Sequence, residues 1–225
     1  MSASASTPSE SRENQSKPVL VFCSSNAVKQ AMFKKMIPDD LNNSAQFVKL
    51  GKDDVKELQG SSEEVIYGKL IAYLQRVGTN YPAGSILVVD DTIIETMPHN
   101  PKIAGFPGAS TTCLFPQSGD LPDQKRYKGR LHELPTCGGI WYTCSIGLIR
   151  IDGTYELHEG TVKGSFVPLP ENKKDTPKNI DPQFLPEGEE LTLDDKDDLH
   201  PRRLAIMEMM ANSKLIIELL KARDC

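Results

Sequence analysis
The chain has 225 residues, long enough for one sizeable domain with its own hydrophobic core, and its 25% charged and 38% hydrophobic composition is that of a water-soluble domain. A net charge of -5 excludes a broad basic surface for nucleic acid or anionic membrane, so a phosphate-bearing ligand has to be gripped locally. Five cysteines, Cys23, Cys113, Cys137, Cys144 and Cys225, show neither C-x-x-C nor zinc-finger spacing, and no apolar run reaches about 18 residues; together these exclude a disulfide framework, a zinc site and a membrane span, and place the chain in the cytoplasm.

Residues 1–17, MSASASTPSESRENQSK, contain too little apolar surface to offset the entropy of ordering and are expected to be a disordered tail, leaving 18–225 as a single domain. Val19 to Cys23 is an apolar, β-branched run, followed by SSN and a helical stretch from Ala27 to Met36, a strand-loop-helix entry. Ser61 and Glu64 fit a capping box for a helix to Val77, with Ile66, Leu70, Tyr73, Leu74 and Val77 on one face. The strand ILVV, Ile86 to Val89, delivers Asp90 and Asp91 at its C-terminal end, where ligands sit in open α/β sheets. Asn100 to Gly119 is rich in Gly and Pro and reads as a loop around GFPGAS.

Ile140 to Ile151 and Thr154 to Val162 flank Asp152-Gly153, a dipeptide that favours a type I′ turn, so a long antiparallel hairpin is expected. A hairpin in an otherwise α/β chain implies a mixed sheet. Residues 168–201 concentrate Pro, Lys, Asp and Glu and read as a long polar connection rather than a folded layer. The last element is a single helix with Pro201 in its first turn and Ile206, Met209, Met210, Ile216, Ile217 and Leu220 in its apolar set.

Four features carry chemistry. VVDDT places two carboxylates on a buried strand, which is costly unless a cation or hydrogen bonds compensate them. Neighbouring strand residues face opposite ways, so one Asp can serve a metal and a water while the other faces supporting groups; the alternative is that the pair simply ends a strand. SSNAVK, Ser24 to Lys29, sits at a strand-to-helix junction, where free N–H groups and the helix dipole favour a phosphate, or where Ser or Asn is an ordinary cap. It lacks the glycines and GK[ST] of a Walker loop, and the first strand has no GxGxxG. Glu57 in ELQG is either a third site carboxylate or a solvated one. HPRR, His200 to Arg203, offers an imidazole and guanidinium groups to a phosphate or purine edge, or forms a basic surface turn.

Taken in order, SSNAVK, ELQG with SSEE, VVDDT, FPGAS, EGTVKG and DPQFLPEGEELT resemble successive motifs of the inosine triphosphate pyrophosphatase family, from Val19 to the final helix. The resemblance implies an elongated mixed β-sheet flanked by helices, two lobes with a central cleft, and a homodimer. It implies hydrolysis of non-standard purine nucleoside triphosphates such as ITP, dITP and XTP to the monophosphate and pyrophosphate, with Mg²⁺, or Mn²⁺ in its place. Ser24, Asn26 and Lys29 match its phosphate loop, Glu57 and Asp91 its metal carboxylates with Asp90 beside them, and Asp91 the group that activates the attacking water. Gly160 and Gly164 match its hairpin glycines. Asp181, with Pro182 and Phe184, matches its DPxF segment near the base, and Lys196, His200 and Arg202 fall in its substrate-binding stretch.

The departures cluster on the side of the base. Lys178, Asn179 and Ile180 stand where the family has a stacking aromatic pair; His200, Pro201 and Arg202 align with its Ser-His-Arg triplet; Thr112 replaces a lysine. Two further readings therefore stay open, a same-fold pyrophosphatase with altered base preference and a nucleotide-binding module without turnover.

Overall fold
The structure, a computed structural model, describes residues 17–48, 61–77, 80–96, 107–108, 132, 139–173 and 180–224. Its centre is a seven-stranded mixed sheet in the order β2-β1-β3-β5-β6-β7, with the two-residue β4 (Pro107–Gly108) also on β3. β1 (Leu20–Cys23) pairs parallel with β2 (Gln46–Val48) and β3 (Ile86–Thr96), while β3, β5 (Ile140–Arg150), β6 (Tyr155–Phe166) and β7 (Phe184–Pro186) run antiparallel. The expected α/β class with a mixed sheet is what forms.

Two helical layers cover the β1 half. On one face Phe33 of α1 (Ala27–Met36), Ile206 and Met209 of α4 (Pro201–Asn212) and Ile216 of α5 (Lys214–Asp224) pack on Phe22, Val88, Cys144 and Ile146. On the other, Ile66, Leu70 and Tyr73 of α3 (Ser62–Val77) pack on Val21, Leu87, Val89 and Ile149. The strict alternation of β3 follows from strand period: even-numbered residues face α1 and α4, odd-numbered ones face α3. Short α2 (Asp39–Asn42) leads into β2. A third cluster, Ile94, Ile140, Tyr142, Ile180, Phe184 and Leu193, fills the far half of the long strands. The sheet thus has two cored halves, joined by the continuous β3–β5–β6 ribbon.

The capping box of α3 is formed: the Ser61 N–H donates to Glu64 Oε2 at 2.9 Å and the Glu64 N–H to Ser61 Oγ at 3.3 Å. Four expectations are corrected. The strand expected to end at the carboxylates continues to Thr96, because β5 pairs with every residue from Ile86 to Thr96 and Ile93 and Ile94 supply further buried side chains. The hairpin closes through Gly153 N–H to Arg150 O and Arg150 N–H to Thr154 O, both 2.9 Å, with Gly153 at φ 89°; that is a three-residue loop rather than a two-residue type I′ turn.

The connection 168–201 contains a strand: Phe184, fully buried between Tyr142 and Phe166, carries β7 onto the edge of β6. The final helix is two helices. Ser213, fully buried between them, donates its hydroxyl to Glu156 Oε2 at 2.5 Å, and Glu156 Oε1 accepts the N–H groups of Lys214 and Leu215 at 3.1 and 3.2 Å, so a β6 carboxylate caps α5 and turns the chain. Lys17, the last residue of the expected tail, donates to Arg223 O; residues 1–16 lie outside the described residues. Cys23 and Cys144 are buried free thiols, and among the described residues no helix is long and apolar enough to cross a membrane.

Candidate functional site
The site is set by an interruption in strand pairing. On one edge β3 pairs with β1 only at Ile86 to Val88, and with β4 only from Ile94, so between those points that edge has no strand partner among the described residues. Asp90 and Asp91 lie in this gap, between the two cored halves of the sheet. A backbone edge left open beside buried carboxylates needs other donors, and α1 supplies one: Lys29 Nζ lies 3.1 Å from Asp90 Oδ2 and donates to the Asp90 carbonyl at 3.4 Å.

Asp90 faces α1 and α4. Its Oδ2 also accepts from Arg202 Nε at 2.8 Å, and Arg202 Nη2 reaches Thr92 Oγ1 at 3.2 Å. Burial would raise the Asp90 pKa, but the charges and hydrogen bonds of Lys29 and Arg202 outweigh it and hold it at about 2. Burial likewise opposes the Arg202 cation, and Asp90 more than offsets it, so the guanidinium stays charged. Arg202 reaches this depth because α4 lies directly on β6 at Gly160: a Cβ there would run into the Pro201 carbonyl and the Leu204 side chain. The matched glycine Gly164 plays the same part for β7, where a Cβ would meet Leu185 O and the Phe184 ring.

Asp91 faces α3, where Lys69 Nζ lies 2.9 Å from its Oδ2 and the two side chains are 15% and 17% exposed. In the same cross-strand row stand Ser145 and Glu159. Ser145 is fully buried, donates to Glu159 Oε1 at 2.6 Å and lies 3.1 Å from Ser62 Oγ on the first turn of α3. Among the described residues Asp91 is therefore paired with one lysine, whereas Asp90 is held by two cations on the other face.

At the end of β1, Asn26 caps α1, its Oδ1 accepting the N–H groups of Val28 and Lys29 at 2.9 and 3.4 Å, and Ser24 Oγ accepts the Asn26 N–H at 3.2 Å. Ser24, Asn26 and Lys29 are thus brought beside the gap as one turn. His200 caps α4 through Nδ1, 3.1 Å from the Arg202 N–H, which is the place the resemblance gives to serine. Asp181 lies against Tyr142 and His200. Lys196 instead pairs with Glu189 at 2.9 Å. Glu57, Lys178, Asn179 and Thr112 lie outside the described residues, as does most of FPGAS.

Sequence reading did not single out Lys69, Thr92, Tyr142, Ser145 or Glu159. For Lys69 a signal existed: it lies three residues after Ile66 and one before Leu70, on the buried stripe of α3, where an unpaired lysine is costly. The others became visible only through pairing across strands.

A hard divalent cation fits the chemistry of the residues in the gap. The Asp91 carboxylate is partly open, and carboxylate oxygens are the donors Mg²⁺ and Mn²⁺ prefer, while Asp90 Oδ1 is buried without a hydrogen-bond partner on the other face of β3. Among the described residues no three ligating side chains converge on one point.

Comparison with solved structures places the fold. The Ham1 protein of Staphylococcus aureus matches with a TM-score of 0.60 at 20% identity, covering 85% of this chain and 96% of that one. A protein from Mycobacterium abscessus described as a nucleoside-triphosphatase and dITP/XTP pyrophosphatase matches with a TM-score of 0.57 at 22% identity, over 86% and 99% of the two chains. A HAM1 protein from Coxiella burnetii matches at 0.64 and 17% identity, over 86% and 97%. No curated protein matches in sequence. The sequence model of the Ham1 family matches residues 20–212, from β1 to the end of α4, and the chain belongs to that family.

Proposed function
We propose that the protein hydrolyses nucleoside triphosphates to the monophosphate and pyrophosphate at the β3 gap, acting on non-standard purines such as ITP, dITP and XTP. The observation that carries this reading is the split of the two adjacent carboxylates. Asp90 organises a cationic pair, Lys29 and Arg202, while Asp91 stays accessible on the opposite face with Lys69 beside it. Phosphoryl transfer is mostly positioning and charge stabilisation, and three cations around two carboxylates supply both.

In this reading Lys29, Ser24 and Asn26 at the start of α1 bind the phosphates, helped by the dipole of that helix. Asp91 orients the attacking water and takes its proton, and Lys69, paired with Asp91 before substrate arrives, then turns to the phosphate chain. Asp91 and Glu57 would hold Mg²⁺ or Mn²⁺, with Asp90, on the opposite face of β3, supporting the site through Lys29 and Arg202; the ion, when bound, screens the triphosphate charge. Asp181, His200, Lys196 and Arg202 belong to the substrate side. Ile180, buried where the resemblance has an aromatic, favours the second reading, the same reaction with a shifted base ranking.

The test is pyrophosphate release from ITP, XTP, dITP, GTP and ATP with Mg²⁺, by wild type and Asp91→Asn. Release that ranks ITP or XTP first and vanishes in the variant supports the proposal. Folded protein that binds triphosphates without releasing pyrophosphate would leave a binding module.

A further inference from the structure
Under α4, strand β6 holds a histidine between two acids. Asp90 stands opposite Ile146 and Ile146 opposite His158, so one cross-strand row carries the Arg202 clamp at one end and an imidazole at the other. His158 is 6% exposed. Its Nδ1 meets Glu208 Oε2 of α4, and its Nε2 lies 3.3 Å from Glu156 Oε2 of β6. The acids have further partners: Glu208 Oε1 accepts from Asn212 Nδ2 at 3.2 Å, and Glu156 takes the Ser213 hydroxyl and the N–H groups of Lys214 and Leu215 at the start of α5. From β5 the neighbour in the row is the apolar Ile146. Burial opposes charge on Glu156, but hydrogen bonds from Ser213, His158 and the Leu215 N–H outweigh it and keep its pKa below the ordinary carboxylate range. A carboxylate only accepts, so both ring nitrogens of His158 have to donate, and only the imidazolium has two N–H groups. The neutral ring would set a nitrogen lone pair against one of the acids.

We propose that His158 is a positioning residue for the phosphate site: its imidazolium pins the second half of α4 to β6 and so steadies Arg202 on Asp90, and loss of one ring proton loosens that hold. The proposal rests on the nucleotide site placed at the β3 gap. The first half of α4 crosses β6 at Gly160, where the Pro201 carbonyl and the Leu204 side chain leave no room for a Cβ. A steric crossing limits how close a helix comes and leaves it free to rock about the contact. The second half is tied to the same strand by Glu208 on His158, and the helix that rocks is the one whose Arg202 grips Asp90. Ile206 and Met209 keep α4 docked through apolar packing, so the ring proton governs how α4 sits rather than whether it folds. Because Glu156 serves both His158 and the cap of α5, the same proton reaches the junction at Ser213.

The test measures melting temperature and the KM of pyrophosphate release from ITP from about pH 5 to pH 8, the range in which histidine changes charge. Wild type is compared with Glu208→Gln, whose carboxamide accepts from the imidazolium and donates to the neutral ring, so either form of His158 keeps both partners. The chain's other histidines and the acids at the β3 gap are common to both proteins, so the difference between the two profiles reports His158. As pH rises, wild type is expected to lose about 2–4 °C relative to Glu208→Gln, the scale of one hydrogen bond in a chain of this size. Its KM should rise about three- to tenfold over the same range, and more than kcat changes. His158→Gln should sit at every pH near the level of alkaline wild type. A purely structural histidine would offset the melting curves by the same amount at every pH. Parallel profiles for wild type and Glu208→Gln, or a melting difference with no response in KM, overturn the proposal. If no triphosphate is hydrolysed, the proposed function fails by itself, and calorimetric affinity for ITP takes the place of KM. Should His158→Gln fail to fold, Glu208→Gln carries the test.

Discussion
Asp90 and Asp91 are neighbours in the chain and belong to different environments. On the α4 face, Asp90 is 6% exposed and clamped by Lys29 and Arg202; on the α3 face, Asp91 meets Lys69 at a partly open edge. One peptide bond separates a buried carboxylate clamped by two cations from a partly open one paired with a single lysine among the described residues. The difference teaches that residue type and spacing define a reactive pair, while the strand's alternation and the helices on each face divide the labour.

The comparison is broken most directly by substituting each carboxylate. Asp91→Asn is expected to lower kcat for pyrophosphate release by about a thousandfold or more, the scale of losing a positioned base and metal carboxylate, with a melting temperature close to wild type. Asp90→Asn should do the reverse in kind: it strands the buried Arg202 and the half-buried Lys29 and destabilises the fold by about 3–5 kcal/mol, read by denaturant unfolding. Equal stability loss in both variants would erase the distinction drawn between the faces.

A third variant leaves both acids intact and moves the helix that supplies Arg202. Gly160→Ala forces α4 off β6 and is expected to cost about 1–3 kcal/mol, as overpacking does, with a weakened hold on Asp90. Its measurement is thermal unfolding together with KM for the triphosphate. The smallest effect is acid sensitivity. A carboxylate whose pKa falls on folding, from 3.8 to about 2 for Asp90, stabilises the fold above the higher value and ceases to do so as pH drops through the lower. Stability should therefore decline by about 2 kcal/mol from this group between roughly pH 4 and pH 2, and Asp90→Asn should flatten that part of the profile.

Much of the site was legible as residues and little of it as contacts. Asn26, Lys29, Asp90 and Asp91 declare themselves because capping chemistry and buried charge are local properties of a short segment. His200 and Arg202 were legible as an imidazole and a guanidinium at the start of the last helix, but their partners, Asp181 and Asp90, lie 19 and 112 residues away. Lys69 was hidden by an otherwise ordinary amphipathic helix. Ser145 and Glu159 were hidden because register, which sets the row they share with Asp91, depends on the whole hairpin.

By itself the amino-acid order determined the elements whose signals are local: the apolar run of β1, the capping box of α3, the β5–β6 hairpin and the charged pair in β3. It also carried the family, through six motifs in sequence. Only the tertiary structure decided that β3 runs on past its carboxylates, that Phe184 draws a polar connection into the sheet, that Ser213 and Glu156 divide the last helix, and that among the described residues neither β1 nor β4 pairs with β3 at Asp90 and Asp91. Each of these depends on packing or pairing between segments far apart in the chain, whose free energy no local propensity contains.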